Sequence, residues 1–201
     1  MITLQALCFG IFGYLLGAVP FGLIIARFFC GIDPRTGGSR NTGATNVARM
    51  CGFGWGVATL ACDLLKGALP VLLAQLDSGS VFVVTVTGLA AVLGHVFSCF
   101  MHFRGGKAVA TSIGVFLPLA FPPLLIACLF CLVVIWRTEF VSLGSLTLVG
   151  TLPFLLCLFG YWEWIPLSFC VLAIVAWRHR ENIVRLNNGT EKSFLKSHQK
   201  G

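Results

Sequence analysis

Residues 108–136 read AVATSIGVFLPLAFPPLLIACLFCLVVIW, an apolar run without a charged side chain. A run of this length can cross a bilayer once as a single helix. Near its middle, however, it holds Pro118 and the pair Pro122-Pro123. Proline breaks a helix interior and restricts the residue before it, so the chain can also turn here and return. The fold depends on which of these two paths the run follows.

Five further apolar runs surround this stretch, at residues 3–29, 54–76, 80–101, 138–159 and 161–177. Of all residues 57% are hydrophobic and only 10% are charged, whereas a soluble domain carries roughly a quarter charged residues. The bilayer is therefore the solvent for most of the chain, and backbone in lipid favours helices. No Lys or Arg precedes the first run, so we expect a span there rather than a cleaved signal.

The positions of Lys and Arg decide between the two paths, because short cytoplasmic loops collect these residues. Segments 27–49 and 102–107 carry cations and are predicted to lie inside, whereas 77–80 has none and is predicted to lie outside. A single crossing by 108–136 would place Arg137 and the cations of the tail outside. A crossing and return leaves 13 of the 14 cations inside and one within a span.

We therefore predict an all-α, polytopic membrane helical bundle of seven transmembrane helices in one domain, 1–201. The N-terminus is predicted to lie outside and the C-terminus inside. The cost is that each half of 108–136 has only 14 or 15 residues, roughly 21 Å of helix against a hydrocarbon core of about 30 Å. Two short helices and a re-entrant hairpin both keep this topology.

The net charge of +7 does not indicate nucleic acid in this chain, because the basic residues flank apolar spans. Topology and an anionic lipid or substrate explain them better. The nine Cys are odd in number and scattered, which argues against a disulfide framework and against a metal site. We expect no metal and no cofactor.

The first cytoplasmic segment, residues 37–49, is dense in Gly, hydroxyl and amide side chains and includes Arg40 and Arg49. Glycines let backbone N–H groups turn toward an anion, and Arg adds forked charged donors. The segment therefore predicts a phosphate-binding loop, although it lacks the nucleotide P-loop pattern. The alternative is a polar turn between spans.

The second segment carries His95 near the end of a span and then Arg104-Gly105-Gly106-Lys107. If Gly106 and Lys107 open the next helix, its first N–H groups and the two cations form a phosphate cradle. A positive-inside anchor is the alternative reading of the cations. An imidazole at the depth of His95 is a functional-site hypothesis, with a hydrogen-bonded structural role as the alternative.

Other polar residues lie within or beside the remaining spans. Asp63 and Lys66 are three apart on one helix face, and they either pair with each other or line the site. Ser142 begins a later span, and a helical serine alone is a weak signal. His179 and Asn182 share a face at spacing i, i+3 in the tail.

Together these stretches resemble the bacterial acyl-phosphate-dependent glycerol-3-phosphate acyltransferase family, in order and along almost the whole chain. The matching residues are Gly38-Ser39-x-Asn41-x-Gly43-Ala44-Thr45-Asn46-Val47-x-x-Arg49, Asp63-x-x-Lys66-Gly67, Gly94-His95, Gly105-Gly106-Lys107-x-Val-Ala-Thr111, Val141-Ser142-Leu143 and His179-Arg180-Glu181-Asn182-x-x-Arg185-Leu186-x-x-Gly189-x-Glu191. Two positions depart from the pattern of the family. Arg40 stands where the family usually has Gly, and Glu139 stands where a basic residue is usual.

The resemblance implies a multi-pass enzyme of the bacterial inner membrane with its active site facing the cytoplasm. It implies transfer of a fatty acyl group from acyl phosphate to the sn-1 hydroxyl of glycerol 3-phosphate, the first step of phospholipid synthesis. The expected products are 1-acyl-glycerol 3-phosphate and phosphate. The expected partners are the two substrates and membrane lipid, with a functional link to the soluble enzyme that makes acyl phosphate.

The resemblance also implies roles for individual residues. Catalytic roles are expected for Ser39, Arg49, His95, Lys107, His179 and Asn182. Substrate binding is expected for Asn41, Gly43, Thr45, Asn46, Arg104, Gly105, Gly106, Thr111 and Ser142. A structural or site-lining role is expected for Asp63, Lys66 and Glu191.

Two phosphate substrates repel each other, so the site needs several cations in a partly dry environment. We expect the four polar stretches to converge at one leaflet for this purpose. The base that takes the hydroxyl proton is left open between the imidazoles of His95 and His179 and the phosphate of the substrate. A phosphate or organic-anion transporter is the main alternative function, and a non-enzymatic scaffold is a third.

Overall fold

A computed structural model describes residues 1–194 of the chain. Throughout this part the secondary structure is helical, without a strand, which confirms the predicted all-α class. The α-helices are α1 (Ile2–Ala18), α2 (Phe21–Cys30), α3 (Ala44–Cys51), α4 (Phe53–Ser78), α5 (Val81–Val96), α6 (Val109–Phe116), α7 (Phe121–Thr138), α8 (Val141–Leu158), α9 (Ile165–Arg178) and α10 (Arg180–Asn187). Short 3₁₀ turns occupy Cys99–Met101 and Trp162–Trp164.

Five segments of the described chain are long and apolar enough to cross a membrane. They are Ile2–Cys30, Phe53–Ser78, Val81–Met101, Phe121–Thr138 and Val141–Leu158. The prediction of seven spans, with its orientation of the termini, stays a prediction.

The predicted interruption of the run 108–136 is confirmed, because α6 ends at Phe116 and α7 begins at Phe121. Pro122 and Pro123 lie in the first turn of α7, where a proline costs no helical hydrogen bond. The predicted equal halves are wrong. Helix α6 has eight residues, roughly 12 Å, whereas α7 has 18, roughly 27 Å and close to the thickness of the hydrocarbon core.

The chain divides into two compact units, Met1–Leu119 and Ala120–Gly201. The single domain over 1–201 stays a prediction. In the first unit α1 lies against α5 at close range. A Cβ on Gly17 would lie 2.2 Å from the carbonyl oxygen of Ala91, and one on Gly94 would lie 2.2 Å from that of Tyr14. Small residues at such points let membrane helices approach closely.

Helix α4 packs against α6 in the same way. A Cβ on Gly67 would lie 2.2 Å from the carbonyl oxygen of Thr111, and one on Gly114 would lie 2.0 Å from that of Leu64. This close contact places Thr111 of α6 beside the part of α4 that carries the buried residues Asp63 and Lys66.

The first apolar run is one candidate span but not one helix. Helix α1 ends at Ala18, and α2 begins at Phe21 after Pro20. The carbonyl oxygen of Val19, at the break, accepts a hydrogen bond from Lys66 Nζ at 2.8 Å. Lys66 of α4 thus donates a hydrogen bond to a backbone carbonyl oxygen at the break in the helix.

In the second unit α7 lies along α8, and α9 packs on α8. A Cβ on Gly144 would lie 2.8 Å from the carbonyl oxygen of Cys131, so glycine again sets a close contact between helices. At His179 the chain leaves α9 and starts the short helix α10. The basic end of the tail beyond 194 lies outside the described residues.

Candidate active site

The loop before α3 is organised by the buried side chain of Asn46. Its Oδ1 accepts the N–H of Ser39 at 2.7 Å, and its Nδ2 donates to the carbonyl oxygens of Pro34 at 2.7 Å and of Asn41 at 2.8 Å. Asn41 Oδ1 accepts the N–H of Gly43 at 2.9 Å. The amide of Asn46 thus fixes the loop, and its predicted binding of substrate stays a prediction.

Asp33 ties the start of the same loop to two arginines. Its carboxylate lies 2.8 Å from Arg27 Nη2 and 2.7 Å from Arg35 Nη2. Hydrogen bonds from Arg35 hold the pKa of Asp33 well below its usual range, despite the opposing effect of burial. The same pair raises the pKa of Arg35. Both groups are therefore fully ionised near neutral pH.

Helix α3 carries Thr45 and Arg49, which are four residues apart and share a face. Both side chains are half-buried, whereas Ser39 is exposed in the preceding loop. The first segment thus combines a fixed backbone, set by Asn46, with a hydroxyl-bearing loop and a cation on a helix. This arrangement suits an anionic ligand.

The segment 104–107 does not open a helix as predicted, because α6 begins at Val109. The N–H of Gly105 donates to the Val96 carbonyl oxygen at 2.9 Å, and that of Gly106 donates to the His95 carbonyl oxygen at 3.1 Å. The predicted phosphate cradle of these two N–H groups is therefore wrong. The glycines are needed for space instead. A Cβ would lie 1.9 Å from His95 O at Gly105 and 2.2 Å from His95 Nε2 at Gly106.

His95 lies buried at the centre of this contact. Its Nδ1 is 3.0 Å from Thr111 Oγ1 and 3.9 Å from Asp63 Oδ1. Asp63 in turn lies 2.8 Å from Lys66 Nζ, with both side chains almost inaccessible to solvent. Asp63 and Lys66 thus pair with each other, which was one of the two predicted alternatives.

A small cavity of about 10 Å³ lies among these groups, lined in part by Asp63, Lys66, His95 and Gly106. This volume holds about one water molecule. The pair therefore also lines a small polar cavity beside the imidazole, while its predicted role in lining the functional site stays a prediction.

A much larger cleft, of about 770 Å³, opens beside the loop of the first segment. We call it the arginine cleft, and it is lined by Asp33, Arg35, Thr36, Arg40, Asn41, Thr42, Met101, His102, Arg104 and Gly105. Of the predicted substrate-binding residues it brings together Asn41, Arg104 and Gly105. Sequence reasoning missed Arg35, Thr36 and Thr42. The sequence feature that could have indicated them is the pair of opposite charges two positions apart, Asp33 and Arg35.

The second unit holds its own polar cluster around Glu191. Glu191 Oε1 accepts hydrogen bonds from Ser142 Oγ at 2.7 Å and Asn182 Nδ2 at 2.6 Å, and Oε2 accepts from Arg185 Nε at 2.7 Å. Burial alone would raise the pKa of Glu191, but these three hydrogen bonds outweigh it and lower the pKa. Ser142 and Asn182, separated by forty positions in the sequence, meet on one carboxylate.

His179 is buried where α9 passes into α10, and its Nδ1 lies 2.8 Å from the carbonyl oxygen of Val175. Since a carbonyl only accepts, Nδ1 carries the proton, and the lone pair of the neutral ring is on Nε2.

Glu139, one of the departures from the family pattern, caps α7 with φ +62° and accepts a hydrogen bond from Ser193 Oγ.

Within each unit some of the predicted residues come together, namely Asp63, Lys66, His95 and Thr111 in the first and Ser142, Asn182 and Glu191 in the second. The catalytic and binding roles of Ser39, Arg49, His95, Lys107, His179 and Asn182, and the convergence of all four stretches, stay predictions. The five candidate spans and the arginine cleft define a class, namely an integral membrane protein with a cationic site suited to phosphate.

Comparison with known proteins gives the family. The family model for glycerol-3-phosphate acyltransferase matches residues 7–189. A glycerol-3-phosphate acyltransferase of Desulfovibrio desulfuricans is 69% identical over 188 residues, which cover 94% of this chain and 84% of that protein.

Two solved structures are similar over nearly the whole chain. A crystal structure of PlsY, an integral membrane glycerol 3-phosphate acyltransferase, in its glycerol 3-phosphate form has a TM-score of 0.89 and 41% identity, covering 94% of each chain. The lysophosphatidic acid form has a TM-score of 0.89 and 39% identity, covering 97% of this chain and 99% of that one.

The chain belongs to the glycerol-3-phosphate acyltransferase family, which confirms the resemblance found in its sequence. It is an acyltransferase and an integral membrane protein, and a place in phospholipid biosynthesis follows from the family. The transporter and the scaffold are accordingly set aside as functions.

Proposed function

We propose that this chain transfers a fatty acyl group from acyl phosphate to the sn-1 hydroxyl of glycerol 3-phosphate. The products are 1-acyl-glycerol 3-phosphate and inorganic phosphate. The observation that carries the proposal is membership of the family, at 69% identity to a glycerol-3-phosphate acyltransferase. The cationic groups of the first unit and the crystal structures of PlsY in its glycerol 3-phosphate and lysophosphatidic acid forms support it.

In the proposed reaction the sn-1 oxygen forms an ester bond to the acyl carbon. The bond between that carbon and the phosphate oxygen breaks, and phosphate leaves with the bonding electron pair. The hydroxyl proton passes to His95, to His179 or to a phosphate oxygen. Phosphate is a good leaving group, so the main task of the protein is to hold two anions together and stabilise the developing charge.

Arg49 and Lys107 are proposed to bind phosphate, with Ser39, Thr45 and Ser142 orienting the substrates. The role of Gly105 and Gly106 is steric, because they let the chain pack directly on His95 just before Lys107. Asn46 and Asn41 act indirectly, by shaping the loop that carries Ser39.

We place the enzyme in the bacterial inner membrane as a seven-span protein with these groups facing the cytoplasm. In that position it receives glycerol 3-phosphate from the cytosol and acyl phosphate from the soluble enzyme that makes it. The acyl chain lies among the apolar helices, where lipid and protein offer the same environment.

The test is release of inorganic phosphate from synthetic acyl phosphate by the purified protein, with and without glycerol 3-phosphate. Phosphate release that depends on glycerol 3-phosphate, with 1-acyl-glycerol 3-phosphate as the second product, is expected. Acyl-CoA in place of acyl phosphate is the donor control and should give no product. Transfer from acyl-CoA at the same rate would refute the proposed donor.

The variant Lys107→Ala should lose most of this activity, by about a hundredfold or more for a charged group that stabilises the transition state. Its yield and elution from size exclusion in detergent should match the wild type, which shows that it still inserts and folds. Wild-type turnover by Lys107→Ala would reject the phosphate role of Lys107.

A further inference from the structure

The arginine cleft contains more positive charge than its own acid neutralises. Among the described residues, Asp33 is the one acidic side chain that lines it, and this carboxylate is already bonded to Arg35 and, from outside the cleft, to Arg27. Arg40 and Arg104 also line the cleft. Within residues 1–194 neither guanidinium has a hydrogen-bond acceptor or an ion-pair partner. The cleft therefore presents two exposed guanidinium groups to a ligand.

The backbone that carries these two arginines is held in an uncommon conformation. Arg40 has φ +54°, and on the opposite loop His102 and Phe103 have φ +51° and +59°. Residues other than glycine rarely adopt this region, and such residues cluster at functional sites. The turn at Arg40 is closed by its own N–H, which donates to the Gly37 carbonyl oxygen at 2.8 Å.

Arg40 occupies a backbone conformation, at φ +54°, that favours glycine. A glycine would satisfy the positive φ without strain but would add no charge. The arginine therefore adds a cation to the cleft at a conformational cost. This combination points to a function of the side chain rather than to a need of the backbone.

We propose that the arginine cleft binds a soluble phosphate monoester, with Arg40 and Arg104 on its phosphate, and so collects this ligand from the aqueous phase. Two guanidinium groups match the charge of a monoester, which carries between one and two negative charges near neutral pH. Naming glycerol 3-phosphate as the natural ligand rests on the proposed function. The binding of a monoester does not.

The walls of the cleft favour a soluble ligand over a lipid. Of the lining residues in the described part of the chain, Met101 is the one large apolar side chain, and the others are polar, charged or glycine. An acyl chain would find little apolar surface there, whereas glycerol hydroxyls would meet Thr36, Asn41 and Thr42. A charged cleft of this kind raises the local concentration of an anionic substrate, in a manner that salt screens.

The decisive variants are Arg40→Gly, which removes the charge and relieves the positive φ, and Arg40→Lys, which keeps the charge. Arg137→Gln is the matched control, because it removes an exposed arginine that does not line the cleft. For Arg40→Gly we expect the KM for glycerol 3-phosphate to rise about three- to tenfold at low salt, with kcat unchanged. Arg40→Lys should recover at least half of this effect, and Arg137→Gln should show none.

Equilibrium binding of glycerol 3-phosphate and of inorganic phosphate to the purified protein is the second measurement. Arg40→Gly should weaken both by a similar factor, and the difference from wild type should shrink as salt is raised. Binding equal to wild type, or a KM effect shared by Arg137→Gln, would overturn the proposal.

Nanodiscs of neutral or of anionic lipid separate the two sources of phosphate. A loss in Arg40→Gly that occurs only with anionic lipid would overturn the assignment to a soluble ligand in favour of a headgroup. If the wild type transfers no acyl group at all, the proposed function fails while the binding measurement still tests the cleft.

Discussion

Replacing Lys66 with methionine should destabilise the protein more than any single change at a lipid-facing position. Lys66 Nζ lies 2.8 Å from Asp63 Oδ1 and donates to the Val19 carbonyl oxygen at 2.8 Å. The two side chains of the ion pair are only 3% and 4% exposed. Methionine keeps the length and apolar stem of lysine, so the change isolates the ammonium group.

The magnitude follows from what the ammonium group leaves behind. Asp63 becomes a buried carboxylate without its cation, and breaking a buried pair in this way costs about 3–5 kcal/mol. Within residues 1–194 the carbonyl oxygen of Val19 then keeps only the hydrogen bond from the N–H of Phe21, at 3.1 Å, at the break between α1 and α2. A weakened carbonyl bond adds about 1 kcal/mol, part of which overlaps with the first cost. We therefore expect a loss of about 4 kcal/mol.

The assay is unfolding by SDS in mixed micelles, followed by tryptophan fluorescence. The double variant Asp63→Asn/Lys66→Met should regain about 2 kcal/mol, because no unpaired charge remains. Leu65→Met, at an exposed position of the same helix, should change stability by less than about 0.5 kcal/mol. A loss below about 1 kcal/mol for Lys66→Met, or a double variant as unstable as the single one, would refute this reasoning.

Three further outcomes test the site. Asn46→Ala should cost about 3 kcal/mol, because three backbone groups of the loop lose their hydrogen bonds to the buried amide, and should speed proteolysis of the preceding loop; unchanged proteolysis would contradict its organising role. Gly105→Ala should lower the free energy of unfolding by about 2 kcal/mol or more and remove most activity, because the new Cβ would lie 1.9 Å from His95 O. The control Gly54→Ala, whose Cβ would have no neighbour within 4 Å, should be tolerated in both assays. Since the pKa of Glu191 is lowered, its network should stabilise the protein fully above the ordinary value of about 4.5 and lose that contribution as pH falls through the lower folded pKa. Glu191→Gln should flatten this acid slope of stability, and an unchanged slope would contradict the assignment.

The positions of the prolines predicted some of the helix breaks but not all of them. The prolines near residue 120 correctly predicted an interruption, yet Pro20 breaks the first apolar run, which sequence reasoning left whole. Pro70 and Pro153 lie inside α4 and α8 without ending them. In a membrane the outcome depends on whether neighbouring groups take up the freed carbonyls. At Pro20 that neighbour is Lys66, 46 positions along the chain, which local patterns cannot reveal.

The residues of the site were easier to predict than their bonds. The sequence predicted residue types that phosphate chemistry requires, but it assigned the N–H groups of Gly105 and Gly106 to a ligand. They bond to the carbonyl oxygens of Val96 and His95, which only the folded arrangement brings near. Likewise the amide of Asn46 is consumed by its own loop. A polar side chain at a site predicts a need for partners but does not reveal which partners it has.

The cluster around Glu191 narrows the choice of base in the second unit. A carboxylate with a lowered pKa stays ionised near neutral pH, so Glu191 cannot act as an acid there. Its oxygens already accept three hydrogen bonds, which makes it a weak base as well. His179, by contrast, has its proton fixed on Nδ1 by Val175 and its basic lone pair on Nε2. If a protein group of this unit removes the hydroxyl proton, we propose His179 rather than Glu191, whose carboxylate holds Ser142 and Asn182.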